Sequence, residues 1–126
     1  MSKIDSLIPF MGAKELKELA IKIINGEVKG IKLYKLYPFL NQEAIKEVVQ
    51  LLIDNKKGSQ IKFALPFLSE DLLLDVLNQV RKGDIDDMQE EYFYPFLGKD
   101  QIKELFNEYV KEASVSEDSE EDVEEE

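Results

Sequence analysis

The chain has no cysteine, no histidine and no tryptophan among its 126 residues. Without cysteine there is no disulfide framework and no thiolate metal site. Without histidine, the commonest general base and the commonest metal ligand are both missing. No stretch approaches the ~20 apolar residues of a membrane span. Met1 to Met11 carries Asp5 and Pro9 and lacks the long apolar core of a signal peptide. A cytoplasmic location is the expectation. Phosphate-loop and dinucleotide glycine patterns are also missing. Asp84-Ile85-Asp86-Asp87 opens like a calcium loop, but the required Gly and the closing Glu do not follow; it reads better as an acid-rich helix start. The sequence therefore calls for no catalytic residue, no metal and no cofactor, and an enzyme is not expected.

Charge is present in excess of one sign, but unevenly. The net charge is −11. Residues 114–126 hold eight acids and no base, residues 64–113 carry −7 and residues 1–63 carry +4. The final segment has almost no apolar content, so an acidic, disordered tail is expected over 114–126.

Proline is scarce, and its placement is informative. The four prolines are Pro9, Pro38, Pro66 and Pro95, spaced 29, 28 and 29, and each is followed by a phenylalanine: Phe10, Phe39, Phe67 and Phe96. Seven residues after each Pro stand Leu16, Ile45, Leu73 and Ile102. Ten after stand Leu19, Val48, Val76 and Leu105, and eleven after stand Ala20, Val49, Leu77 and Phe106. Fourteen after come Ile23, Leu52, Val80 and Tyr109. This is the i, i+3, i+4, i+7 stripe of an amphipathic helix. Gly12, Asn41, Ser69 and Gly98 stand at its start, where Asn and Ser are strong N-caps. Gly26, Gly58 and Gly83 stand at its end. The pattern predicts a long helix over roughly 12–25, 41–56, 69–82 and 98–113.

The segment before each Pro has apolar residues one, two and five positions back. Five back the series is Ile4, Leu33, Ile61 and the exception Glu90. A short second α-helix of about two turns is expected at 2–8, 30–37, 59–65 and 86–94, ending at the Pro. The Phe-Leu after the Pro is expected to drop into the core.

The fold class expected is all-α: four tandem helical-hairpin repeats of about 28–29 residues, at about 1–29, 30–57, 58–86 and 87–113. They would stack as a short solenoid or a compact right-angle array, of a handedness the sequence does not give. The arrangement resembles the broad class of helical-hairpin arrays such as HEAT and tetratricopeptide repeats, without the specific motifs of either. It is closer to Leu-Pro-Phe-Leu type repeats of uncharacterised bacterial proteins. The resemblance rests on the four Pro-Phe corners and covers residues 4–111. It implies a fold and brings no ligand or catalytic residue.

A repeat supplies its own control for function. Positions that are apolar in one unit and polar in the others are not required by the shared core. Ile21, Tyr34, Phe63, Leu74 and Tyr92 meet that criterion. They are the candidate partner-binding residues, the alternative being that they pack between units. A second candidate surface, for anions, comprises Lys29, Lys32, Lys35, Lys56, Lys57 and Lys62, the alternative being a solvated lysine face. The function expected is a non-catalytic protein–protein interaction module with an unidentified protein or peptide partner, as a monomer. A weak polyanion or nucleic-acid binder gated by the acidic tail is the alternative.

Overall fold

In a computed structural model, which describes residues 3–117 and side chains as far as residue 114, the protein is all-helical, and no strand occurs among the described residues. Five α-helices follow in order: α1 (Lys3–Leu7), α2 (Ala13–Ile24), α3 (Gln42–Asp54), α4 (Glu70–Arg81) and α5 (Lys99–Glu117). Between them run short 3-10 segments. The chain divides into two compact units, Met1–Phe93 and Tyr94–Glu126.

The long helices lie where the apolar stripe places them. Asn41 Oδ1 accepts the Ala44 amide at 2.8 Å, and Ser69 Oγ accepts the Leu72 amide at 3.3 Å. Each satisfies one orphan donor of a first turn. The stripe in α2, α3 and α4 forms the core of the first unit: Leu16, Leu19 and Ala20; Ile45, Val48 and Val49; Leu73, Val76 and Leu77 are all buried. Full burial of one such aliphatic side chain is worth about 1.5–3 kcal/mol.

The three helices close in the same way. A left-handed residue follows each: Gly26 (φ 81°), Lys56 (φ 59°) and Gly83 (φ 86°). The next amide then reaches back five residues, Glu27 to Lys22 at 2.9 Å, Lys57 to Leu52 at 2.8 Å and Asp84 to Gln79 at 2.9 Å. This is the Schellman closure, which normally selects glycine. After α3 the left-handed residue is therefore Lys56 and not Gly58, as the sequence suggested. Gly58 serves close approach: a Cβ there would meet the Asp87 carboxylate and lie 2.6 Å from Ile85 Cγ2.

Two expectations about the corners are corrected. Only the first short helix is α; the others are 3-10 turns at Leu33–Lys35, Gly58–Phe63 and Glu90–Phe96. Their buried apolar residues are three apart, as in Leu33 and Leu36 or Ile61 and Ala64, which suits three residues per turn. Further 3-10 turns cross the prolines at Ile8–Phe10, Tyr37–Phe39 and Leu65–Phe67. They turn the residue before Pro inward, so Ile8, Tyr37 and Leu65 are buried, while Phe10, Phe39 and Phe96 are exposed and Phe67 is half-buried. The exception Glu90 lies 3.8 Å from Arg81 Nε at the end of α4.

In the second unit, α5 runs on to Glu117, so Ser114 to Glu117 extend the helix instead of opening the tail. The remainder of the acidic tail lies outside the described residues.

Candidate partner-binding surface

Three of the five partner-binding candidates come together. The Tyr34 and Phe63 rings lie 5.6 Å apart, tilted by 38°. The Lys62 ammonium sits 5.3 Å from the Phe63 ring centre and 5.5 Å from that of Tyr92. Tyr34, Phe63 and Tyr92 thus form one row with a cation over two of its rings. All three stay exposed, at 47%, 49% and 40%. A cation–π contact at such a surface contributes about 0.5–1 kcal/mol.

The row has a rule behind it. The residue four before Pro in one repeat meets the residue three before Pro in the next. Asp5 meets Lys35 as an ion pair at 3.9 Å, Tyr34 meets Phe63, and Lys62 meets Tyr92. The repeats vary at these two positions because each junction is a matched pair: acid with base, ring with ring, cation with ring. Variation from repeat to repeat at these sites thus reflects both exposure and contact between repeats. The signal was present in the sequence, in the comparison of position −4 with position −3 of the following repeat rather than with its own counterparts.

A cleft of about 410 Å³ adjoins the row. Ile31, Tyr34, Tyr37 and Phe63 wall it, and Lys32 and Lys57 also line it. Tyr37 is buried to 1% exposure, its ring 6.3 Å from that of Phe67. Its hydroxyl has no hydrogen-bond partner among the described residues. Burial pushes the phenol above its ordinary value of 10.0. Sequence reasoning did not single out Tyr37, because Ile8, Leu65 and Tyr94 at the equivalent position make it look like ordinary core.

The other candidates are elsewhere. Ile21 on α2 and Leu74 on α4 are half-buried and line neither the row nor the cleft. Among the lysines, Lys57 Nζ donates to the Ile24 carbonyl at the end of α2, at 2.7 Å, where a cation suits the helix dipole. Lys35 faces Asp5, and Lys62 covers the rings. Lys56 occupies the left-handed closure, and Lys29 and Lys32 are exposed. Three of the six thus have partners within the protein, and Lys32 and Lys57 line the same cleft. The Asp84–Asp87 run is not the helix start expected of it: it lies in turn and loop ahead of the 3-10 segment at Glu90, and Asp87 Oδ2 accepts the Ser59 amide at 2.9 Å.

Outside the row, Lys17 and Glu47 pair at 2.8 Å between α2 and α3. The hydrogen bond that it donates to the Glu47 carboxylate raises the Lys17 ammonium above its ordinary value. Compared with protein-family models, curated proteins and solved structures, the chain matches none. No described helix is long and apolar enough to cross a membrane.

Proposed function

We propose that the chain is a non-catalytic, helical-repeat interaction module that docks a peptide or protein segment on the Tyr34–Phe63–Lys62–Tyr92 row and the adjoining cleft. The observation that carries this is the exposed aromatic row itself. Three large rings at the surface, beside an apolar cleft, offer anchor sites of the type that dominates binding energy. Lys32 and Lys62 favour a segment with an apolar or aromatic anchor flanked by carboxylates. The four units are read as a stacked array of the helical-hairpin type, its short second element being 3-10 in three of the four, and the junction pairs support that reading. A polyanion site receives less support, since Lys35, Lys57 and Lys62 are engaged within the protein.

The junction rule supplies the test. In the double variant Tyr34→Asp/Phe63→Lys the aromatic pair becomes the acid–base pair already used by Asp5 and Lys35. The fold is expected to keep its melting temperature, because an aromatic pair is worth about 0.5–1.5 kcal/mol and a surface ion pair about 0–1. Peptides selected from a display library on the native chain are expected to bind the variant at least ~10-fold more weakly, about 1.4 kcal/mol. Equal binding by the variant would reject the site. Affinity that collapses between low and physiological salt, with heparin competing, would favour the polyanion alternative.

A further inference from the structure

The cleft beside the aromatic row carries charge of one sign. Lys32 and Lys57 line it and no described carboxylate does, in a chain with 27 acids against 16 bases. A second cleft, of about 310 Å³ beside α2 and α3, is lined by bases and acids together, and there Lys17 already pairs with Glu47. Of the two, the first offers cations to something outside the protein. Lys57 is half-buried and held in place. Its Nζ donates one hydrogen bond to the Ile24 carbonyl at 2.7 Å, which leaves two of the three ammonium protons to donate elsewhere. The Ile24 side chain is buried in the cleft wall. Cation and apolar wall thus meet at one residue.

A ligand that uses both must carry its anion close to its apolar group. In an extended peptide, neighbouring side chains point to opposite sides, so an acid next to an apolar anchor does not meet this demand. A C-terminal residue does, because its side chain and its carboxylate leave the same Cα. The cleft also stands at one end of the row. Tyr34 and Phe63 line it, while Tyr92, joined to Phe63 through Lys62, does not. A chain that ends in the cleft has rings to lie on as it leads away, which a free small molecule would leave unused. We infer that the cleft captures the C-terminal residue of a partner protein. An aliphatic or aromatic side chain packs against Ile24, Ile31 and Tyr37, the α-carboxylate meets Lys57 and Lys32, and the preceding residues run along Phe63 toward Tyr92. Capture of a terminal carboxylate is an established mode of peptide recognition. The inference rests on the interaction-module reading and adds which end of the partner binds and the chemistry of its last residue.

Random heptapeptides displayed with a free C-terminus are selected on the full native chain, and the tightest is synthesised as free acid, as C-terminal amide and with two glycines added. Selected sequences are expected to end in leucine, isoleucine, valine or phenylalanine. In fluorescence anisotropy the amide and the extended form are expected to bind at least ~10-fold more weakly than the acid, through loss of hydrogen bonds to a charged group. Lys57→Met is expected to bind acid and amide alike, and Lys32→Met to narrow the gap. The comparison of acid with amide uses the native chain, so it does not depend on how the variants fold. Acid and amide of equal affinity overturn the inference; if that common binding is lost in Tyr34→Asp/Phe63→Lys, the interaction-module reading survives. A gap that persists undiminished in both lysine variants places the carboxylate elsewhere and overturns it too. N-acetyl-leucine competing as strongly as the heptapeptide assigns the cleft to a small carboxylate, with the same consequence. No binding peptide from free-terminus and internal libraries alike rejects both the inference and the reading beneath it.

Discussion

At the scale of single residues, two positions carry a local cost that substitution can measure. Lys56 holds a left-handed backbone that its counterparts Gly26 and Gly83 adopt freely. A side chain in that conformation costs about 1–2 kcal/mol. Lys56→Gly is therefore expected to stabilise the fold by about 1 kcal/mol in urea denaturation, the loss of side-chain packing being small at an exposed site. Tyr37 presents the other case. Its hydroxyl is buried without a partner among the described residues, and such a group costs about 1–3 kcal/mol. Tyr37→Phe is expected to raise stability at neutral pH by about 1 kcal/mol. The same burial gives a pH signature. The folded-state phenol is shifted up, so the unfolded chain releases this proton first as pH rises. Stability is thus intact below the ordinary value of 10.0 and falls above it, by up to about 1.4 kcal/mol per pH unit. The difference between native chain and Tyr37→Phe in alkaline denaturation should widen above that pH. Parallel curves would mean that the hydroxyl finds a partner.

At the scale of elements, the junctions decide more than the helices do. Gln42, at the start of α3, joins its helix to the next corner with both ends of its amide. Its Nε2 donates to the Phe67 carbonyl at 2.9 Å, and its Oε1 accepts the Ser69 amide at 3.0 Å. Gln42→Ala is expected to cost about 1–2 kcal/mol, whereas Gln50→Ala, whose amide bonds only Asp54 within its own helix, should cost less than about 0.5. Equal effects would show that the clamp contributes nothing. The long helices were legible in the sequence because period, caps and acidic first turns all agreed on them. The short elements were not. Leu33, Leu36 and Tyr37 at −5, −2 and −1 fit two α-turns and a 3-10 run alike, and only packing chose between them. The outward Phe10 and Phe39 followed from the same 3-10 geometry. Of the candidate surface, Tyr34, Phe63 and Tyr92 were legible as departures from the repeat. The cleft wall at Tyr37 was hidden by its resemblance to core positions, and the clamp at Gln42 by its occurrence in a single repeat.

At the scale of the whole molecule, the proposed array of units held by nearest-neighbour contacts should not be equally stable along its length. α3 buries Ala44, Ile45, Val48, Val49 and Leu52, and its side chains reach α2 through Glu47 and the third corner through Gln42. α1 buries nothing. In α5, Leu105 is the one buried residue among those described. Native-state hydrogen exchange is expected to follow this gradient, with α3 amides opening only on global unfolding and those of α1 and the end of α5 opening locally. The gap should reach at least about 2 kcal/mol, roughly 30-fold in protection. Uniform protection from α1 to α5 would instead identify one cooperative unit.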